Sequence, residues 1–166
     1  MAIFPVRLFG DPVLREKSHP VRELDKRIQV LSADMAQTMY KCAGVGLAAP
    51  QIGVLKQIIT IDMDQDNYVV YLNPEIKESS RSEETEEEGC LCVPHIRVPV
   101  TRARKVIVKA LDLQGRPLII EAEDLLARIL QHEIDHLHGQ TILDKTDAKS
   151  RRRAVREFME NGRQEA

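Results

Sequence analysis

The sequence predicts a single α+β domain over residues 1–166, with antiparallel strands packed around a central metal-binding helix. Three observations lead to this prediction. The middle of the chain, residues 57–122, is rich in β-forming residues and short turns. One amphipathic helical pattern precedes this region, and two helical patterns follow it. A length of 166 residues is ordinary for one domain with its own core.

The N-terminal amphipathic helix is predicted over residues 24–42. Its apolar residues recur every three or four positions, namely Leu24, Ile28, Leu31, Met35 and Met39. This spacing places them on one face of a helix, which we expect to be buried. Gly44 follows directly and is expected to end the helix in the left-handed conformation.

Residues 44–53, GVGLAAPQIG, combine small residues with a single polar side chain. Gly44, Gly46 and Ala49 imitate a dinucleotide-binding fingerprint, but that motif follows a strand and opens a helix. Here the glycines follow a helix, so we interpret the segment as a place where another chain or a ligand approaches closely. Gln51 is either a loop hydrogen bonder or a donor to a bound carbonyl.

The strand-rich region divides into several short segments. Strands are predicted at residues 57–62, 68–72, 97–101, 105–110 and 117–122. Residues 78–88 are so acidic that we expect a solvated loop or a sheet edge, because like charges repel. A short apolar run follows, and in a strand its Cys90 and Cys92 would face the same side.

Residues 123–139, EDLLARILQHEIDHLHG, form the helix around which the domain is organised. At about 3.6 residues per turn, one face collects Leu125, Leu126, Ile129, Leu130, His132, Glu133, His136 and Leu137. The other face collects Asp124, Arg128, Gln131, Asp135 and His138. The first face should be buried, although it carries two histidines and a glutamate among leucines.

A bound metal ion explains the two histidines and the glutamate on the buried face better than the alternative does. In that alternative, they are ordinary core residues with hydrogen-bond partners. His132 and His136 are four residues apart, so their rings lie one above the other and suit one ion. Glu133 lies beside them as a base for water. An unpaired buried carboxylate costs several kcal/mol, on the order of the usual desolvation penalty, unless something compensates it.

A catalytic ion of this kind needs a third protein ligand and leaves one position for water. The candidates are Cys90, Cys92, His95, Glu88 or another carboxylate. Two histidines with one cysteine are compatible with zinc, ferrous iron, nickel or cobalt, and the sequence does not select among them.

Composition excludes several classes of protein. A net charge of −2 gives no global attraction to nucleic acid, so no specific DNA binding is expected. No apolar stretch approaches the ~18 residues of a membrane span, and the first residues lack the apolar core of a signal peptide. Three cysteines are too few for a disulfide scaffold, which favours the cytoplasm.

Three motifs in order resemble those of peptide deformylases: GVGLAAPQIG, EGCLCVP and QHEIDHLHG. The opening FPVRLFGDPVLREKSHPV is similar to that family as well, and the resemblance runs from about Phe4 to Leu143. It implies an enzyme that removes the formyl group from the initiator methionine of nascent polypeptides and releases formate. It also implies one divalent ion, natively Fe²⁺ in most members, with zinc, nickel and cobalt forms.

The same resemblance implies a role for particular residues. The metal ligands would be Cys90, His132 and His136. Glu133 would be the general acid and base, and Gln51 with the backbone N–H of Leu91 would stabilise the oxyanion. The residues around the substrate backbone and its first side chain would be Val45, Gly46, Leu91, Leu125 and Ile129.

Cys92 departs from the family, which commonly has serine at this position. Our hypothesis is that Cys92 is a neighbour of the metal and not a ligand. Two alternatives remain: a general metallopeptidase, and a non-catalytic binding module with a structural zinc held by Cys90, Cys92, His132 and His136. A structural site would be closed by four protein ligands and would not need Glu133 on the buried face.

The C-terminal helix, predicted over residues 147–161, is strongly basic. Arg151, Arg152, Arg153 and Arg156 could contact the ribosome, from which the substrate emerges. The alternative is a solvated helix whose charge is partly balanced by Glu157 and Glu160.

Overall fold

A computed structural model describes residues 2–64 and 67–164, so both ends of the predicted domain 1–166 lie outside the described residues. The helices are α1 (Lys26–Lys41), α2 (Asp124–Leu137), α3 (Ile142–Lys145) and α4 (Ala148–Gln164), with 3₁₀ turns at Pro12–Arg15 and Ala49–Ile52. The strands are β1 (Gly46–Ala48), β2 (Ile58–Ile61), β3 (Val69–Ser79), β4 (Glu83–Cys90), β5 (Val93–Ala103), β6 (Lys105–Leu111) and β7 (Pro117–Glu123).

The strands form two antiparallel sheets, and α2 packs between them. The larger sheet has the order β1-β2-β3-β6-β7, whereas β4 and β5 form a separate hairpin. The apolar side of α2, including Leu130 and Ile134, packs with Ile59 and Val108 of the larger sheet in one buried cluster. The predicted α+β architecture, with antiparallel strands around the central helix, is therefore confirmed.

Helix α1 begins and ends close to the predicted positions, but its ends differ in detail. It begins at Lys26 because the carboxylate of Asp25 accepts hydrogen bonds from the backbone N–H groups of Arg27 and Ile28. The left-handed residue after the helix is Ala43, with φ of 53°. The prediction that Gly44 ends the helix in this conformation is therefore wrong by one residue.

The acidic segment, residues 78–88, is a strand along most of its length. The prediction of a sheet edge is therefore correct for this part, and the prediction of a solvated loop is wrong. Strand β4 pairs with β5 from Glu83↔Ala103 to Cys90↔Val93. Arginines from β5, α2 and the β5–β6 junction offset the repulsion between its carboxylates: Arg104 pairs with Glu84, and Arg128 with Glu86. The sequence pattern does not show these partners because they are distant in the chain.

Two residues of α2 have the opposite solvent exposure to the one predicted. Leu125, predicted on the buried face, is 55% exposed, whereas Arg128, predicted on the polar face, is only 7% exposed. The reason is that the β4–β5 hairpin covers the side of the helix that the pattern assigned to solvent. The guanidinium of Arg128 donates to the carbonyl oxygens of Val100 and Glu84 on that hairpin.

Helix α4 packs on β5 through Ala154, which is fully buried. Phe158 of the same helix makes an edge-to-face contact with Phe9, with ring centroids 5.8 Å apart. In the described part of the chain, no helix combines the length and apolar character that crossing a membrane requires.

Candidate metal centre

A groove runs over α2 between two strand edges that have no second strand neighbour in the described sheets. One edge is β1, the end strand of the larger sheet, and the other is β4. The groove has a volume of about 860 Å³. Its lining includes nearly all the predicted site residues, namely Val45, Gly46, Gln51, Cys90, Leu91, Leu125, Ile129, His132 and Glu133.

Helix α2 supplies three polar side chains to this region: His132 and Glu133 line the groove, and His136 is buried next to His132. His132 and His136 are one turn apart, and their ring centroids are 5.0 Å from each other. Glu133 and His136 are almost fully buried. The helical spacing places both imidazoles and the carboxylate on neighbouring positions of α2, although the ligand atoms that all lie within 4.8 Å of one another include His136 and not His132.

Two thiols approach the histidines from the β4–β5 hairpin. Cys90 is the last residue of β4, and its Sγ lies 3.3 Å from Nε2 of His136. Leu91 and Cys92 form the two-residue turn that follows, because Cys90 pairs with Val93. The ligand atoms of Cys90, Cys92 and His136 all lie within 4.8 Å of one another.

A buried carboxylate orients His132. Nδ1 of His132 lies 3.0 Å from Oε2 of Glu88, so Nε2 is the ring nitrogen that would bind an ion. Burial alone would raise the pKa of Glu88, but hydrogen bonds from His132 and Arg102 lower it to about 2. A carboxylate behind a metal-binding imidazole fixes the ring and its tautomer.

Glu133 is buried without the partners that a buried carboxylate normally has. Among the described residues, none forms a hydrogen bond with its Oε2, and burial raises the pKa of Glu133 to about 7. A Cβ atom at Gly46 would lie 2.5 Å from its Oε1. The absence of a side chain at Gly46 therefore makes the space that the carboxylate fills.

The amide of Gln51 spans the gap between β1 and the thiols. Its Oε1 accepts a hydrogen bond of 2.7 Å from the backbone N–H of Ala48. Its Nε2 lies 3.6 Å from Sγ of Cys90 and 3.5 Å from Sγ of Cys92. The oxygen is thereby occupied, and the amide presents its donor to the site.

These residues fit a divalent ion. A thiol and an imidazole lie in contact, a second imidazole stands beside them, and these are the donors that zinc and the later transition metals prefer. The buried Oε2 of Glu133 and Nδ1 of His136 are without hydrogen-bond partners within the described ranges. In a folded protein such orphaned atoms indicate a missing ion, water or reactant.

A family model described as polypeptide deformylase matches residues 3–152 of the chain. The chain belongs to the polypeptide deformylase family. A peptide deformylase from Natranaerobius thermophilus is 48% identical over 147 residues, which cover 89% of this chain and 94% of that protein. One from Dictyoglomus thermophilum is 49% identical over 140 residues, with 84% and 90% covered.

Solved deformylase structures share this fold. The crystal structure of a peptide deformylase from Legionella pneumophila has a TM-score of 0.94 and 44% identity, and covers 99% of this chain and 98% of that one. The Synechococcus elongatus deformylase, solved in complex with actinonin, has a TM-score of 0.90 and 36% identity over 93% and 86%. The family to which this chain belongs consists of metal-dependent enzymes that remove the N-formyl group from nascent peptides. Membership of this family does not favour a general metallopeptidase or a non-catalytic module with a structural zinc.

This chain also contains a buried ion-pair network that its sequence did not predict. We use this name for Glu88, Arg102, Arg128 and Asp135. Oε1 of Glu88 accepts from Arg102 at 2.9 Å and from Arg128 at 2.7 Å, and Arg102 also pairs with Asp135. Arg128 and Asp135 are seven residues apart on α2. They lie on the side that the β4–β5 hairpin covers, and no local sequence pattern reveals that hairpin.

Proposed function

We propose that Cys90, His132 and His136 hold one divalent ion with which this deformylase hydrolyses the formyl group of nascent formyl-methionyl peptides. The observation that carries the proposal is the unpartnered Oε2 of buried Glu133, next to two imidazoles and a thiol. When bound, such an ion lowers the pKa of water and polarises a carbonyl oxygen. Cys92 is the neighbour that stays outside the ligand set.

The peptide lies extended in the groove between β1 and β4. Both strands have an open edge, so an extended chain pairs its backbone with theirs as an added strand. Val45 and Gly46 form one wall of the groove, and Leu91, Leu125 and Ile129 surround the first side chain. The apolar character of the last three residues suits a methionine side chain.

Glu133 moves the proton. Its carboxylate takes a proton from the attacking water and delivers it to the leaving amine, as a general base and then a general acid. Burial brings its pKa to about 7 in the chain without an ion. A group that titrates near neutral pH can both accept and return a proton at little cost.

Gln51 and the backbone N–H of Leu91 stabilise the negative charge that develops on the formyl oxygen. The Gln51 amide is pre-oriented because Ala48 occupies its oxygen. Leu91 lies in the turn next to Cys90, so its N–H group is adjacent to the proposed ligand. One such donor contributes roughly 3–4 kcal/mol in other acyl-transfer enzymes.

The native ion in this proposal is Fe²⁺, and Zn²⁺, Ni²⁺ or Co²⁺ can replace it. A ligand set of one thiolate and two imidazoles accepts all four. Metal analysis of chain purified without oxygen checks this point. Iron at about one equivalent supports it, and zinc at the same level in anaerobic preparations contradicts it.

Formate release from a formyl-methionyl peptide, with and without a chelator, tests the function. We expect release that stops with the chelator and returns when Fe²⁺, Ni²⁺ or Co²⁺ is added. Cleavage of internal peptide bonds would instead support a metallopeptidase. A tightly bound zinc without formate release would support the structural module.

We also propose that the reaction takes place in the cytoplasm, with α4 against the ribosome. Arg152 and Arg156 are exposed on α4, whereas Arg151 is tied to Leu143 and Asp144. Co-sedimentation with ribosomes at low salt should be lost when residues 149–166 are deleted. Equal sedimentation of the full and shortened chains would contradict the contact.

A further inference from the structure

The second thiol, Cys92, has no role in the proposed reaction, although its sulfur lies close to the ligand atoms of Cys90 and His136. The ligand atoms of Cys90 and Cys92 are within 4.8 Å of each other, at either end of a turn in which only Leu91 separates them. Nε2 of Gln51 is within 3.6 Å of both sulfurs. The pair is therefore close enough for the sulfurs to meet after small side-chain rotations.

The two thiols differ in their access to solvent. Cys90 lines the groove and is partly exposed. Cys92 is fully buried behind it. A small oxidant entering the groove therefore meets the sulfur of Cys90 first, and Cys92 is protected from direct attack.

We propose that Cys90 and Cys92 form a reversible disulfide when the site meets a hydroperoxide, with Cys90 as the thiol that is attacked and Cys92 as the thiol that resolves it. This makes the pair a modification site in addition to the proposed metal centre. Both metal binding and attack on a peroxide use the thiolate form of cysteine. The side chain proposed as a ligand is therefore also the one exposed to oxidation.

The chemistry proceeds in two balanced steps. The Cys90 thiolate attacks a terminal oxygen of hydrogen peroxide; a sulfur–oxygen bond forms, the oxygen–oxygen bond breaks, and hydroxide leaves. The Cys90 sulfur is oxidised to a sulfenic acid and the peroxide is reduced. Cys92 then attacks that sulfur, so that a disulfide forms and the hydroxyl leaves as water with the Cys92 proton.

The second step prevents further oxidation of the Cys90 sulfur. A sulfenic acid that finds no thiol is oxidised further to sulfinic and sulfonic acids, which ordinary thiol reductants do not reverse. A disulfide between residues two apart closes a small ring, and strained disulfides are easily reduced. In the disulfide form, Cys90 has no thiolate with which to bind the ion. A dithiol reagent reduces the disulfide and restores the Cys90 thiol.

The test uses the full ion-loaded chain, treated with hydrogen peroxide and then digested with trypsin. Cleavage after Arg81 and Arg97 releases residues 82–97, which contain both thiols, whereas Cys42 is in the separate peptide 42–56. We compare the wild type with Cys92→Ser, Cys92→Ala and Cys42→Ser. The last is the matched control, because it removes the third, exposed thiol. Mass spectrometry reads the sulfur chemistry directly, independently of whether the chain deformylates peptides.

We expect the wild type and Cys42→Ser to lose two hydrogens from peptide 82–97, and both Cys92 variants to gain up to three oxygens there. The treated proteins are then reduced with dithiothreitol and given fresh metal, and metal binding is measured by chelator competition. The recovered fraction of metal binding should be about tenfold larger in the wild type than in Cys92→Ser, because dithiothreitol reverses the disulfide and not the sulfinic or sulfonic acid. Wild-type peptide that gains oxygens as fast as the variants, or a disulfide that includes Cys42, would overturn the proposal.

Discussion

Helix α2 contributes residues to two buried polar sets that differ in one respect. The residues of the ion-pair network have partners: Arg128 alone donates to Glu88, Val100 and Glu84. The His–Glu–His set, which consists of His132, Glu133 and His136, includes two buried atoms without a partner in the described chain. Removing one partner of a satisfied buried ion pair destabilises the fold because the other charge is left uncompensated. A buried polar atom that has no partner in the native structure costs free energy and indicates a functional role. The comparison therefore distinguishes residues that mainly support the fold from those expected to perform the chemistry, and Glu88, which orients His132, connects the two sets.

The largest effect should follow a change in the His–Glu–His set. Glu133→Ala is expected to lower kcat by about 10²–10⁴-fold, the usual contribution of a general acid and base, while metal content stays near that of the wild type. Steady-state formate release and metal analysis on the same sample measure both quantities. Gln131→Ala is the matched control, because the amide of Gln131 bonds to Ala103 away from the groove. Full activity in Glu133→Ala would show that the mechanism is wrong.

A change in the ion-pair network should affect stability more than catalysis. Arg128→Leu removes one partner of buried Glu88 and is expected to lower the free energy of unfolding by about 3 kcal/mol. Denaturant unfolding measures this loss. Arg104→Leu is the surface control, since Arg104 pairs with Glu84 and Asp124 at an exposed position, and should cost less than about 1 kcal/mol. Equal losses of unfolding free energy in Arg128→Leu and Arg104→Leu would contradict the distinction between the buried network and a surface ion pair.

Two glycines on opposite walls of the groove sharpen the comparison further. Gly46→Ala should displace the Glu133 carboxylate, because the new Cβ would lie 2.5 Å from Oε1. A displacement near 1 Å lowers kcat by up to about 10²-fold. Gly89→Ala is the control, since its Cβ would meet only ordinary contacts at 3.5 Å and beyond. We expect kcat to fall in Gly46→Ala and not in Gly89→Ala, and the opposite order would contradict this placement of Glu133.

The smallest effect concerns a satisfied carboxylate far from the groove. Partial burial raises the pKa of Asp144, but hydrogen bonds from Arg15, Thr141 and Arg151 outweigh it and lower the pKa from 3.8 to about 2. Because the folded pKa is lower, this carboxylate stabilises the fold above pH 3.8, and the contribution is lost as the pH falls to about 2.

Asp144→Asn should therefore destabilise the fold by about 1 kcal/mol at neutral pH, and by progressively less in acid. Denaturant unfolding of both proteins at several pH values between neutrality and about pH 3 measures the difference. A difference that stays constant with pH would show that the carboxylate charge is not responsible.

Local patterns predicted what depends on local spacing. The helical repeat brought His132 and His136 onto one face, and the alternation of β residues indicated most strands. The environment of Arg128 and Leu125 could not be predicted in this way, because it depends on where the β4–β5 hairpin packs. The acidic strand β4 was only partly predicted, since its arginine partners come from β5, α2 and the junction after β5. Leu91 entered as a site residue through the resemblance alone, which also favoured one of the two interpretations of Gln51. Both residues line the groove.

Anomalous X-ray scattering from crystals of the metal-loaded chain tests the central claim most directly. Data collected at the absorption edge of the ion locate it and its ligands. We predict an ion bound by Cys90 Sγ and by Nε2 of His132 and His136, with Glu133 beside an open position. An ion bound by Cys92 as a fourth protein ligand, or one bound away from His132, would contradict the account.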